Sequence, residues 1–168
     1  MYLTIISMLV IATYTVAVCV KQKSVPYSIS ATFYKLNHPY WFMATMWITA
    51  GLLMPAVLEA SKPGIEWMAF LACAGMFFVG AAPNFKDSFE GKVHTAGAVL
   101  CVAGSQLWVA FNCPWDLLIW VVWLVYTIVH ISRRVSDSII SDFLRIRPMF
   151  WIETTALSTT YLSVLLEL

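Results

Sequence analysis

Charged residues are scarce in this chain. They make up 11% of its 168 residues, against roughly 25% in an average soluble domain, whereas 61% of the residues are apolar. A soluble chain of this length has no core large enough to bury so much apolar surface, so the composition excludes an ordinary soluble domain. The formal net charge of +1 lacks the basic excess that nucleic-acid phosphates require, so we expect no nucleic-acid partner.

Local motifs for redox and metal chemistry are missing too. The four cysteines form no Cys-x-x-Cys pair, and no His-x-x-x-His or His-Glu-x-x-His motif occurs. Cys73 and Cys101 fall inside apolar runs, where a cysteine behaves as a small hydrophobe. The first apolar run has no basic residue ahead of it, so we expect it to remain as a helix and not to be cleaved as a secretory signal.

Long apolar runs are what the chain does have, each near the roughly 17–25 residues that a helix needs to cross the hydrocarbon core. We therefore expect an all-α fold, a polytopic membrane helical bundle of about six transmembrane helices in a single domain, residues 1–168. The predicted helices cover residues 2–20, 40–60, 66–82, 93–111, 115–131 and 149–166. Between them lie loop one (21–39), loop two (61–65), loop three (83–92), loop four (112–114) and loop five (132–148).

Basic residues segregate to alternate loops. Loops one, three and five carry nine of the ten lysines and arginines, and the tenth is Lys62 in loop two. The positive-inside rule therefore places loops one, three and five in the cytoplasm and both termini on the extracytoplasmic side. This pattern predicts a multi-pass protein of an inner or plasma membrane, with membrane lipids as its partners.

Two of these loops have patterns of their own. In loop five, apolar residues recur at helical spacing from Ile139 to Leu144, and Ser136 or Asp137 could cap the start. This predicts a short helix over residues 136–146 that lies in the membrane interface, with arginines placed to meet anionic head groups. In loop one, apolar and polar residues alternate, which favours an extended or irregular segment on the membrane surface. The alternative for both loops is a solvated linker.

Ionisable residues at the ends of membrane spans are the default functional candidates, because burying them is costly. His94 opens the fourth span, and small residues at three- and four-residue intervals from it predict that it points into the bundle. His130 closes the fifth span, and Glu153 lies one turn into the sixth. The candidates predicted at the cytoplasmic side are His38, Asp87, Glu90, His94, His130 and Glu153.

Several chemistries fit this group. His94, His130 and Glu153 are the ligand types of a zinc or other divalent-metal site, in which an open position would activate water. A cluster of histidine and glutamate can also relay protons, and two histidines can ligate a haem iron, which we disfavour. The simplest alternative is that each side chain lies alone at the membrane interface and forms its hydrogen bonds with water, the backbone or a neighbouring arginine.

The leading hypothesis is a polar pocket at the cytoplasmic side that binds a lipid head group or another small ligand. The first alternative is a metal-dependent, lipid-modifying enzyme, and the second is a proton-linked transporter or channel subunit. A purely structural or regulatory membrane protein is the third. No catalytic residue set and no cofactor follow from the residues alone.

The stretch over residues 78–105 has a distinctive order. A Gly-x-x-Pro at Gly80 and Pro83 closes one helix, an acidic linker follows, and a His-x-x-Gly-Ala beginning at His94 opens the next. Together with the Tyr-Ser-Ile-Ser segment at residues 27–30, this resembles the uncharacterised bacterial six-helix membrane proteins related to the Frag/DRAM family. The resemblance implies a six-helix membrane fold and singles out His94. Eukaryotic members are associated with lipid-anchor remodelling and membrane trafficking, and no catalytic residue set carries over from them.

Overall fold

The structure is a computed structural model that describes residues 1–133 and 138–168. In these two ranges the chain is helical and contains no strand, so the predicted all-α class is confirmed. Two 3₁₀ turns, Ser30–Lys35 and Pro114–Leu118, precede the second and fifth helices. The α-helices are α1 (Tyr2–Gln22), α2 (Tyr40–Glu59), α3 (Glu66–Ala81), α4 (Ser88–Asn112), α5 (Ile119–Ser132), α6 (Ile139–Arg145) and α7 (Pro148–Glu167).

Within residues 1–133 and 138–168, four segments are long and apolar enough to cross a membrane: α1, α2, α4 and the run Pro114–Ser132, which contains α5. The other two expected spans differ from these. α3 has 16 residues, slightly fewer than the usual minimum of about 17. α7 has 20 residues, but its serines, threonines and Glu153 lower its hydropathy. The structure therefore supports a membrane protein with four candidate spans, and the count of six stays a prediction.

Two helices begin elsewhere than the sequence predicted. α4 begins at Ser88 and not at residue 93, because Asp87 caps it. The Asp87 carboxylate accepts hydrogen bonds from the N–H groups of Phe89 (2.9 Å) and Glu90 (3.0 Å), which satisfies two amides that the helix itself leaves free. α5 begins at Ile119 and not at residue 115, because the 3₁₀ turn that starts at Pro114 occupies the residues between.

The loop-five helix, predicted over residues 136–146, is the shorter α6. Residues 136 and 137 lie outside the described residues, so the predicted cap at Ser136 or Asp137 is untested. Ile139, Ile140 and Leu144 are exposed on α6, as a helix that dips into the interface requires. Its placement at a membrane surface remains a prediction.

Loop one is irregular over residues 25–29, as the alternating pattern favoured, and then forms the 3₁₀ turn Ser30–Lys35, which the pattern did not predict. The Ser28 hydroxyl accepts a hydrogen bond from the N–H of Ala31 at 2.9 Å, and the Ile29 carbonyl accepts one from the N–H of Thr32 at 3.1 Å. These local bonds satisfy the backbone without a neighbouring strand, so the alternation of residue types does not lead to β structure.

Five helices, α1, α2, α3, α4 and α7, pack side by side in a closed ring, and α5 lies outside it against α7. Most of the outward face of α5 is exposed apolar surface, suited to lipid. α3 and α4 approach most closely where Gly75 faces Gly97. A Cβ atom at Gly75 would lie 2.5 Å from the Gly97 carbonyl oxygen, so only glycine allows this contact. The stripe of small residues predicted on α4 therefore does mark a close helix interface.

One end of the bundle gathers loop one, loop three and the start of α7. The Tyr34 hydroxyl of loop one donates to Oδ1 of Asn84 at 3.0 Å and accepts from the N–H of Lys86 at 2.9 Å. The N–H of Phe150, in the first turn of α7, donates to the carbonyl of Tyr27 at 3.1 Å. These bonds join loop one to loop three and to the first turn of α7, the helix that follows loop five. Loops one, three and five carry most of the basic residues.

The opposite end gathers loop two and the end of α4. The Asn112 side chain accepts from the N–H of Lys62 at 3.0 Å and donates to the carbonyl of Ala60 at 3.1 Å. The Trp108 indole donates to the Ser61 hydroxyl at 2.7 Å. Side chains of α4 thus satisfy backbone and side-chain groups where α2 ends, as water-poor surroundings demand.

The close approach at Gly75 predicts a specific steric effect. We expect Gly75→Ala to destabilise the protein by about 1–3 kcal/mol, because a Cβ there would meet the backbone of α4 and force the helices apart. The measurement is thermal unfolding of the purified protein in mild detergent. Gly51→Ala is the matched control, because its Cβ would meet only the tip of Phe77 at 3.9 Å. An unfolding temperature that is unchanged in both variants would refute the close contact.

Candidate functional site

The ring of five helices encloses a cavity of about 80 Å³. Its walls are mostly apolar side chains from all five helices, and Ile29 and Ser30 of loop one lie at its loop-one end. Among the described residues, Glu153 is the one carboxylate that lines it, and no lysine, arginine or histidine joins it there. A single water needs roughly 10–15 Å³ on this measure, so the cavity has room for a small chemical group or several waters.

Helical periodicity places Glu153 on the cavity wall. Glu153, Ala156, Leu157 and Thr160 line the cavity, and their spacing of three and four residues puts them on one face of α7. α4 contributes a face with the same spacing, made of Ala98, Cys101, Val102 and Ser105. Most side chains on these two faces are small, which leaves room for the cavity. Among the described residues, Glu153 is the one charged side chain that lines it.

Glu153 binds loop one through one of its two oxygens. The N–H of Ile29 donates to Oε2 at 2.5 Å. Within residues 1–133 and 138–168, the second oxygen, Oε1, has no protein donor. A carboxylate that is only half satisfied and faces apolar walls is costly to keep unless a ligand or water supplies the missing donor.

A groove of about 370 Å³ runs between α1 and α7 beside the cavity. Ile11, Ile29 and Leu157 line both, so the two spaces adjoin at these three side chains. α1 and α7 make few direct contacts along this seam, and their small residues Ala12 and Ser158 are exposed in the groove. The ring of helices is therefore least tightly packed between α1 and α7.

His94 is buried, as predicted, but it does not line the cavity. Its side chain is 6% exposed, and its Nδ1–H donates to the carbonyl oxygen of Ala82 at 2.8 Å. The Phe85 ring lies beside it, with the ring centroids 5.1 Å apart. Ala82 is the capping residue that follows α3, so His94 satisfies a carbonyl that the end of the helix leaves free. This contact is structural.

His130 lies on the outer helix α5, and its partner is on the same helix. Its Nδ1–H donates to the carbonyl oxygen of Tyr126 at 2.9 Å, and the two rings lie 4.1 Å apart. The Tyr126 ring in turn contacts Trp151 of α7, with centroids 5.4 Å apart. His130 is half-buried and belongs to an aromatic cluster between α5 and α7.

The remaining candidates lie at the ends of helices. His38 is exposed just before α2, and its carbonyl accepts from the N–H of Trp41 at 3.2 Å. Asp87 caps α4, and the hydrogen bonds from the Glu90 and Phe89 amides lower the pKa of its carboxyl below the ordinary value of 3.8. Glu90 accepts from the N–H of Asn84 at 3.1 Å. Both carboxylates are thus engaged in ordering the start of α4.

The three residues that the sequence proposed as metal ligands form no such group. Among residues 1–133 and 138–168, no three His, Cys, Asp or Glu side chains lie where they could hold a metal ion. His94, His130 and Glu153 are all within those ranges. The reason is topological, because α5 packs outside α7 while His94 faces the end of α3. A role for each of them in binding another ligand stays a prediction.

Sequence reasoning missed the loop-one part of this site. Ile29 holds Glu153, and Ser30 lines the cavity beside it, yet their alternating pattern suggested only a surface segment. No local sequence motif predicts that the amide of a loop residue will bind a side chain on a helix more than a hundred residues away in the chain. The cavity face of α4 was partly foreseeable, since Cys101 and Ser105 belong to the small-residue stripe.

Comparison of the chain with protein-family models, with curated proteins and with solved structures finds no match in any of the three. The likeness to the Frag/DRAM-related proteins therefore rests on the residues quoted above. The site has to be interpreted from its own geometry.

The separate surroundings of the two histidines predict that their contributions add. We expect His94→Ala to cost about 1–3 kcal/mol of stability, because it leaves the buried Ala82 carbonyl without a donor. His130→Ala should cost less, since its partner carbonyl lies on its own helix and the site is half-buried. The double variant should equal the sum within about 0.5 kcal/mol in detergent unfolding experiments. Coupling well above that value would mean that the two rings share a ligand after all.

Proposed function

We propose that the chain is a membrane protein of six spans, with both termini outside and loops one, three and five in the cytoplasm. The hydrogen bonds that join loop one to loop three and to the start of α7 support this arrangement, because six antiparallel crossings bring those three regions to one end. In the sequence, loops one, three and five carry nine of the ten basic residues. An inner or plasma membrane, with its anionic inner surface, fits this charge pattern.

We further propose that the protein binds a small ligand or lipid in the cavity, at its loop-one end. The observation that carries this proposal is the Glu153 carboxylate, which faces a mostly apolar cavity and has one oxygen without a donor among the described residues. A binding protein uses such a combination to fix one polar group of a ligand while apolar walls accept the rest. Ionisable groups inside membrane proteins are retained at a cost, which favours a functional role for Glu153 over a purely structural one.

The binding proposal keeps the location that the sequence indicated but changes the residues. At the loop-one end, the polar groups of the pocket are Glu153, the Ile29 amide bound to it, and Ser30. Ser105 and Thr160 also line the cavity. Neither His94 nor His130 lines the cavity. A metal-dependent enzyme would need a set of ligands that the described residues do not assemble, so a binding role is the better supported of the two.

The topology can be tested by accessibility of introduced cysteines. In a variant whose four natural cysteines are replaced by alanine, we expect Lys35→Cys and Lys86→Cys to react with a membrane-impermeant reagent only after the cytoplasmic face is opened. Lys62→Cys, at the opposite end of the bundle, should react in intact cells. Labelling of Lys35→Cys or Lys86→Cys from outside the cell would contradict the proposed orientation.

The ligand cavity can be tested by filling it. Ala98 lines the cavity on α4, whereas Ala103 is exposed on the same helix and does not line it. We expect the wild-type protein, purified in mild detergent, to retain a small organic molecule that native mass spectrometry detects. Ala98→Leu should reduce its occupancy about tenfold, equivalent to about 1.4 kcal/mol of affinity, because the longer side chain takes up the space.

Ala103→Leu is the matched control and should retain the molecule as the wild type does. Thermal unfolding of both variants verifies that they are folded. Equal retention by Ala98→Leu, or no retained molecule in the wild type, would refute binding in this cavity.

A further inference from the structure

The groove between α1 and α7 has the length of one lipid leaflet. Its α7 wall extends from Thr154 to Leu165, which at a rise of about 1.5 Å per residue corresponds to ~16 Å. The hydrocarbon core of a bilayer is about 30 Å thick, so one leaflet spans about half of that. The walls of the groove are mostly apolar side chains of α1 and α7. One hydrocarbon chain that lies parallel to the helices fits a groove bounded on each side by one helix face.

The groove adjoins the cavity at the end where Glu153 lies. Ile29 lines both spaces, and its N–H binds the Glu153 carboxylate. Thr154, the residue after Glu153, begins the α7 wall of the groove. A molecule whose chain occupies the groove can therefore place its polar end at Glu153. Both walls are helix faces that meet the bilayer, so the chain enters sideways and does not have to cross water.

The charge of the site favours one kind of head group on the ligand. Glu153 offers an acceptor oxygen without a protein donor, and no lysine, arginine or histidine from the described residues lines the cavity or the groove. A carboxylate or phosphate end group would face the Glu153 carboxylate without any compensating cation. An ammonium group donates hydrogen bonds to a carboxylate and neutralises it, which makes it the favoured partner in an apolar site.

We propose that the ligand of the Glu153 cavity is a single-chain amphiphile with an amine head group, which enters from the bilayer through the groove between α1 and α7. This inference rests on the ligand-binding function proposed above. It adds the chemical class of the ligand and its route. The amine pairs with Glu153 beneath loop one, and the chain lies in the groove towards Leu165.

The test uses the full chain in phosphatidylcholine vesicles and a long-chain primary alkylamine with a photoreactive diazirine in its chain. Illumination should attach the probe to peptides of α1 and α7, which mass spectrometry locates. Unlabelled alkylamine should compete at about tenfold lower concentration than the alcohol of the same chain length, as expected for a hydrogen bond to a charged group. The corresponding fatty acid should compete least.

Three variants test the head group and the route separately. Glu153→Gln keeps an acceptor oxygen for the Ile29 N–H but removes the charge, so it should abolish the tenfold preference for the amine over the alcohol. Ala12→Trp fills the groove and should prevent labelling of α1 and α7. Ala17→Trp is its matched control, since Ala17 is exposed on the same helix but does not line the groove. Unfolding temperatures near that of the wild type verify that each variant is folded.

Each outcome supports or overturns a defined part of the inference. Equal competition by amine and fatty acid, or an unchanged preference in Glu153→Gln, overturns the amine class. Labelling that persists in Ala12→Trp overturns the route. If Ala98→Leu still displaces a retained molecule while the alkylamine fails to compete for it, the binding function stands and only this inference fails. If neither experiment finds a bound molecule, the binding function fails as well.

Discussion

The hydrogen bond from the Ile29 amide to Glu153 is the contact on which the arrangement of the site depends. It joins loop one to α7, which lie far apart in sequence, and it places Ile29 and Ser30 at one end of the cavity. The neighbouring bond from the Phe150 N–H to the Tyr27 carbonyl fixes the same loop to the first turn of α7. Together with the bonds from Tyr34 to loop three, they hold loop one across this end of the cavity.

The rest of the bundle follows the same constraint, which is that polar groups need partners where water is scarce. Near the opposite end, Gln106 of α4 donates to the Ala156 carbonyl of α7 at 3.1 Å and accepts from Thr159 at 2.9 Å. Trp120, on the outer helix α5, donates to the same amide oxygen at 2.8 Å. The Gln106 side chain thus joins three helices, as polar side chains between packed membrane helices do. Glu153 differs from it because one of its oxygens remains free of a protein donor within the described residues.

Close packing and open space are distributed unevenly around the ring. Glycines bring α3 and α4 together at Gly75 and Gly97, and this side of the ring is tightly closed. α1 and α7 meet through a hydrogen bond between Ser7 and Tyr161 at 2.7 Å, with a groove beside it. The difference follows from chemistry, since glycine allows backbones to touch, while alternating large and small side chains leave channels between helices. The proposed ligand would reach the bundle at this less tightly packed side.

The sequence by itself determined the helical class, the apolar runs, the segregation of basic residues and the burial of His94. These features depend on composition and on periodicity within one helix, which local residues specify. It also singled out Glu153 but grouped it with His94 and His130. Only the tertiary structure decided that α5 lies outside the ring, that His94 serves the end of α3, and that Ile29 reaches Glu153. A helical pattern gives the face on which a side chain lies, but which helix packs against that face depends on how all the helices pack together, and no single segment encodes that.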